Sequence, residues 1–433
     1  MKPNILLINP WIYDFSAINL WARPLGLLTV AEHLSQYDIE LNLIDCTNIC
    51  KTSRRYGTGK YPREIIDKPG ILKDVPRHYA RYGISTDEFK VLLKQYSPFD
   101  MVFVTSIMTY WYPGVLKAIE LVKNLQPDVP VVLGGIYASL FERHARAQSR
   151  ADHVYTGPLN NNINKIMRSY GVELIEKYDQ TQYYNMDLYD SYPFAPIVTS
   201  TGCPYNCSYC ASSSLSPRFA QRAPEEVIGE ITELYDIGVR DFAFYDDALF
   251  VNADSHLKII LQEIINSGMS MRFHCPNGVH SRFIDNELAN LLKESGFTTL
   301  RVSLETVDTN RQTETGGKIT SDTFQKSIKS LKAAGFTKEN IGVYLMYGLP
   351  RQKLAEVIEG INFLKGLDVR INLTEFSPIP GTKCWNDLID CGIIDENIDP
   401  LLTNNSVFSA LYEGYDWKEL DVLKNSVKKY NST

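Results

Sequence analysis

Residues 199–212 read TSTGCPYNCSYCAS. Cys203, Cys207 and Cys210 stand there in the spacing C-x3-C-x2-C, directly after an apolar run at 196–201 that reads as a strand. The three thiols therefore lie at the carboxyl end of that strand, which is the ligand-binding end in parallel α/β structures. Three thiolates on one short loop suit three irons of a cubane cluster and leave the fourth iron without a protein ligand. An open coordination position is what separates a catalytic metal site from a structural one. Structural zinc needs a fourth Cys or His close by, and the nearest candidates, His256, His274 and Cys275, lie more than 40 residues away.

Downstream of the cysteines the pattern repeats. Strand-like runs at 196–201, 240–247, 270–277, 298–305, 340–348 and 369–377 alternate with helical runs at 225–238, 253–267, 285–295, 322–334 and 354–365. Gly238, Gly268, Gly296 and Gly335 stand where four of those helices should stop. Six β/α units are fewer than the eight that close a TIM barrel, so a partial, open (β/α)6 barrel is expected. Upstream, strand-like runs at 4–9, 39–44, 100–105, 129–133 and 152–155 alternate with helical runs at 24–37 and 115–125. This predicts an α/β unit with a parallel sheet covered on both faces. The expected domains are 1–175, interrupted by an excursion at 46–98; a barrel over 190–382; and a helical or irregular extension over 383–433. GTGK at 57–60 is no phosphate loop, because Arg54 replaces its first glycine and Tyr61 its Ser or Thr.

The chain has 433 residues, 44 % of them apolar, a net charge of −7 and a pI of about 5.6. That balance argues against nucleic-acid binding by bulk positive charge. No run approaches the roughly 18 apolar residues of a membrane span. ILLINP near the amino end is too short for a signal peptide, so a cytoplasmic location is expected. The eight cysteines are not read as a disulfide framework. Cys46, Cys50, Cys384 and Cys391 read as structural thiols, and the basic residues of 46–98 as a solvated loop.

The cysteine spacing and its strand context resemble the radical S-adenosylmethionine (SAM) superfamily over about 193–382. The resemblance implies a [4Fe–4S] cluster on Cys203, Cys207 and Cys210, and SAM on the open iron. One electron then yields methionine and a 5′-deoxyadenosyl radical. It places Tyr209 near the adenine. Tyr245–Asp246–Asp247 matches an FxDD variant of the motif that takes the SAM amino group, with a helix N-cap as the plain alternative. RVSLET puts Arg301, Ser303 and Glu305 on one strand face, toward ribose and carboxylate; a buried Arg301–Glu305 ion pair is the alternative. Asn277, Tyr347 and Pro378 mark strand-end turns near the adenine.

The first domain resembles the flavodoxin/Rossmann-like, cobalamin-binding domain of one radical SAM subclass, through NILLINP, PLGLLTVAEHL, DMVFVTS, VPVVLGGIYASL and ADHVYTGP. The DxHxxG motif is missing, and His153 reads as structural. Aromatics at 11–23 and 109–113 suit a corrin face, a substrate channel or ordinary packing. The resemblance implies cobalamin-dependent methyl transfer to an unactivated carbon, with a flavodoxin- or ferredoxin-type reductant and a small-molecule or lipid-like substrate. Cobalamin-free oxidation, cyclisation or rearrangement is one alternative, and a structural metal module another.

Overall fold

The computed structural model describes residues 2–177 and 186–433. Two compact units emerge: Met1–Ser191 with Asn397–Leu402, and Tyr192–Glu396 with Thr403–Thr433. Both are α/β structures with parallel sheets, as expected. Among the described residues no helix is long and apolar enough to cross a membrane.

Unit 1 carries strands β1 (Asn4–Asn9), β2 (Glu40–Asp45), β3 (Met101–Val104), β4 (Val131–Leu133) and β5 (His153–Val154). Their order is β5-β4-β3-β1-β2, all parallel, so the winding reverses between β1 and β3. Continuous apolar strands follow from burial on both faces. Ile5, Leu7, Met101, Phe103 and Val132 pack with Leu27, Ala31 and Leu34 of helix α1 (Leu25–Ser35). Leu6, Ile8, Val102 and Val104, of opposite parity, are buried too.

The interruption at 46–98 is more ordered than the sequence suggests. Ile12–Asp14, Tyr79–Tyr82 and Arg63–Ile66 form an antiparallel sheet. Thr52–Ser53 pairs with Gly59–Lys60, which puts the GTGK stretch in a hairpin. Helix α2 (Thr86–Tyr96) starts at Ser85, whose Oγ accepts from the Glu88 amide at 3.0 Å. Trp11 is buried, donates to the Ile84 carbonyl at 2.7 Å and meets Phe89 at 4.5 Å. Tyr110 is buried, and Trp111 donates to Asp14 at 2.6 Å. These aromatic side chains serve internal packing.

Unit 2 carries β6 (Ala195–Ile197), β7 (Asp241–Phe244), β8 (Arg272–His280), β9 (Phe297–Glu305), β10 (Ile341–Tyr347) and β11 (Arg370–Glu375). They lie in chain order, all parallel, with helices between them. The first strand is shorter than expected: Ser200–Thr201 leaves the sheet and pairs with Ala220–Gln221. Parity divides the faces. A Cβ on Gly360 of helix α3 (Leu354–Gly366) would stand 2.7 Å from Leu345, so Leu345 and its parity mates Val343 and Tyr347 face the helices. Gly342 and Tyr344 then face inward, in register with Arg301 and Ser303 on β9 and with Arg370 and Asn372 on β11. Much of the expected extension belongs to this unit. Helix α4 (Lys383–Asp390) follows β11, and α5 (Trp417–Ser432) docks through Asn431, which accepts from the Ile371 amide at 3.0 Å and donates to its carbonyl at 2.8 Å.

Candidate active site

The loop after β6 is held from several sides. Asp246, just beyond β7, accepts through Oδ1 from the Thr199 amide at 3.0 Å, the Thr199 hydroxyl at 2.7 Å and the Ser200 hydroxyl at 2.6 Å. Its carboxyl is buried, which pushes its pKa up against those three donors, and Oδ2 has no partner. Gly202 has a φ of 71°, and a Cβ there would come within 2.8 Å of the Ser216 carbonyl oxygen, so only glycine fits. The Cys384 amide, in the first turn of α4, donates to the Ser208 carbonyl at 2.8 Å.

A second loop closes on the first. A Cβ on Gly316 would stand 3.3 Å from the Cys207 Cα. Arg282 Nε donates to the Lys318 carbonyl at 2.6 Å and Nη2 to the Gly317 carbonyl at 2.9 Å. Its guanidinium lies 5.0 Å from the Tyr205 ring, which stacks on His280 at 4.7 Å. His280 is buried; burial, then Lys318 and Arg282, depress its pKa to about 3, and Nδ1 has no partner.

All three motif cysteines are free thiols: Cys207 buried, Cys203 half-buried and Cys210 exposed. Burial pushes each thiol pKa up, and the neighbouring thiols add to this, while the Lys318 ammonium pulls all three down. Among the described residues no group of three or more Cys, His, Asp or Glu is drawn into ion-holding geometry. The donor set still fits an iron–sulfur cluster: three thiols near one another on a single loop, with a cation beside them.

The other expected contacts are placed differently. Tyr209, Asp247 and Glu305 sit at the loop. Burial pushes the Tyr209 phenol well up, with Glu305 and Cys207 next among the causes. Asp247 is exposed and accepts from Ser212 Oγ at 2.5 Å. Ser303 is buried in register with His280. Glu305 follows a strand irregularity, has a φ of 69°, and pairs with Lys318 at 3.8 Å rather than with Arg301. Asn277 turns to the end of β7, donating to the Tyr245 carbonyl at 3.1 Å. Arg301 lies two residues down the strand from Ser303. Asp246 is no N-cap; it latches the loop. Tyr347 faces the helices, its ring 6.2 Å from Tyr415 and under Lys424, so its side chain is not on the inner face. Pro378 is buried beside Ser377, whose hydroxyl donates to the Thr403 carbonyl at 2.6 Å. Lys318 and His280 were not singled out from sequence; the glycine pair before Lys318 was the only local signal.

Residues 197–364 match the family model described as the radical SAM superfamily. An uncharacterised methyltransferase of Pyrococcus horikoshii is 30 % identical over 233 residues, 53 % of this chain and 47 % of that protein, so the chain spans about half of that relative. The bacteriochlorophyllide d C-8(2)-methyltransferase of Chlorobaculum tepidum is 20 % identical over 81 % of this chain and 85 % of its own length. Among solved structures, the radical SAM methyltransferase TsrM of Kitasatospora setae, with tryptophan and a SAM analogue bound, superposes with a TM-score of 0.66 at 17 % identity, over 89 % of this chain and 76 % of that one. That last likeness is one of fold.

Proposed function

We propose that this chain, whose residues 197–364 belong to the radical SAM superfamily, is a cobalamin-dependent radical SAM methyltransferase acting on an unactivated carbon. Cys203, Cys207 and Cys210 would hold a [4Fe–4S] cluster. The observation that carries the reading is three free thiols, close enough to raise one another's pKa, on one latched loop at the carboxyl end of a barrel strand. When bound, the cluster supplies the electron that cleaves the SAM sulfonium, and cobalamin supplies a methyl carrier.

The protein's own share is positioning and exclusion of water. Asp247 and Glu305 offer carboxylates to the SAM amino group and ribose, and Ser303 and Asn277 offer polar contacts beside them. Tyr209 offers a ring to the adenine, with the backbone near Tyr347 and Pro378 as its wall. For cobalamin, unit 1 offers the turn after β4. Gly135 has a φ of 89°, and a Cβ there would stand 2.5 Å from the Ser106 carbonyl oxygen, so glycine lets this turn pack against the end of β3. No histidine stands at the DxHxxG position, so this reading has no histidine ligand to cobalt. A small-molecule substrate and an external one-electron reductant complete the proposal, in the cytoplasm.

Anaerobic reconstitution with iron, sulfide and hydroxocobalamin, followed by gel filtration and a spectrum, tests both cofactors. Turnover should give S-adenosylhomocysteine together with 5′-deoxyadenosine. Protein that stays free of corrin, or makes 5′-deoxyadenosine alone, removes methyl transfer. Absence of iron and sulfide removes the whole reading.

A further inference from the structure

The inner face of the barrel is layered. In the lowest layer Arg272 is fully paired: it donates to both oxygens of Asp241, at 2.7 and 2.6 Å, and His274 bonds the same carboxylate at 3.0 Å. The next two layers, Arg301–Gly342–Arg370 and Ser303–Tyr344–Asn372 in register, are different. Among the described residues no carboxylate pairs with Arg301 or Arg370. Arg301 Nη1 is fully enclosed and has no hydrogen-bond partner, and neither has Asn372 Oδ1. Both atoms crowd the same point. They stand 2.5 Å and 2.7 Å from where a Cβ on Gly342 would be. Tyr344 closes the layer, its hydroxyl donating to the Pro276 carbonyl at 2.6 Å.

A guanidinium taken out of water without an anion is strongly disfavoured unless something supplies the anion. Here two half-buried guanidiniums share the inner face, one with an enclosed nitrogen. Beside one of them is an acceptor that also lacks a partner. An anion alone would satisfy Arg301 and leave Asn372 wanting. A group that is an anionic acceptor at one atom and an N–H or O–H donor at the next would satisfy both. At roughly 3.3 Å rise per residue, Arg301 sits about 7 Å below Ser303, deeper in the barrel than the cysteine loop.

We propose that Arg301, with Arg370 and Asn372, is the substrate-anchoring site, and that the substrate is an amino or hydroxy acid. Its carboxylate seats on the arginines and its neighbouring donor on Asn372 Oδ1. Gly342 is glycine because any side chain there would displace both anchors. The substrate assignment rests on the radical SAM reading of this barrel; the anion site itself does not.

The test is thermal-shift titration of the full chain, at constant ionic strength, with L-alanine, acetate and inorganic phosphate. L-Alanine should stabilise saturably and at least tenfold more tightly than acetate. R301M should lose that response by tenfold or more, and N372L should erase the advantage over acetate. Without probe, R301M should melt no lower than the parent, because a half-buried charge with no carboxylate partner has been removed. The titrations are repeated in the cluster-deficient C207S variant, so a failed cluster claim leaves them readable. Any of these results overturns the proposal: no saturable response to L-alanine, an equal response in R301M, a lowered melting point of probe-free R301M, or loss of affinity for labelled SAM in R301M, which would give Arg301 to the cosubstrate. Phosphate outperforming L-alanine would overturn it as well.

Discussion

Units 1 and 2 are both parallel sheets flanked by helices, yet they fill their centres differently. In unit 1 both parities of the central strands are apolar: Ile5 and Leu7 on one face, Leu6 and Ile8 on the other. Nothing can bind inside such a sheet, so any site is confined to the loops at the strand ends. On β8 to β11 of unit 2 one parity is mostly apolar. The other carries Arg272, His274, Arg301, Ser303, Tyr344, Arg370 and Asn372. A barrel with a polar lining can hold a ligand among its strands as well as above them. The first unit presents a rim; the second presents a polar inner face with a thiol loop at its end.

The sharpest way to break this comparison is C207A. If the thiol loop is the cluster site, iron and sulfide per chain fall to background and reductive SAM cleavage is abolished, while the circular dichroism spectrum is kept. Iron retained at parental stoichiometry in C207A would place the cluster elsewhere. The matching change in unit 1 is G135A. It forces a Cβ against the Ser106 backbone at 2.5 Å and 2.7 Å and onto a positive φ of 89°. A side chain in that positive-φ, extended region costs about 1–3 kcal/mol before the clash is counted. G135A should therefore lower the melting of unit 1 and reduce corrin uptake at least tenfold without changing iron content. An equal loss of iron would mean the two regions are not separable in this way.

Asp246 tests how the thiol loop is held. D246A leaves the Thr199 amide and two hydroxyls without an acceptor, at a cost of about 1–3 kcal/mol if one buried group stays unsatisfied. D246N keeps the accepting oxygen and removes a charge that burial disfavours, so it should match or exceed the parent in urea denaturation. D246N falling as far as D246A would show that the charge itself, and not the acceptor, is needed.

What the sequence made legible follows from the range over which each cause acts. Apolar runs and helical spacing are local, so the strands from Asn4–Asn9 to Arg370–Glu375 were found within a few residues. The thiol loop is local too, and its chemistry tolerates few substitutes. The pairing of Tyr79–Tyr82 with Ile12–Asp14 joins segments far apart in the chain, and no local pattern announces it. Asp246 and Asp247 are adjacent, and only the direction of the chain after β7 buries the first as a latch and exposes the second. Glu305 was placed on one face with Arg301 by strict alternation, but the strand irregularity beside it breaks that alternation and a loop lysine takes the carboxylate. Tyr347 is the opposite case. Its parity with Val343 and Leu345 was readable, and it puts the ring on the helix side.

The smallest expected effect concerns His280, the imidazole under Tyr205 in the cysteine loop. Its pKa is held at about 3 in the folded chain, against about 6.5 when unfolded. The unfolded chain therefore takes up a proton that the folded chain refuses between those values. Stability from this residue is fully present above about pH 6.5 and is lost as pH falls toward 3, by up to about 1.4 kcal/mol per pH unit. H280F keeps a ring for Tyr205 to stack on and removes the titration. Urea unfolding of unit 2 at several pH values between 7 and 4.5 should show an acid limb shallower by about one proton in H280F than in the parent. Identical limbs would mean that the folded chain already accommodates imidazolium there, and that this end of the inner face is open to water down to the base of the cysteine loop.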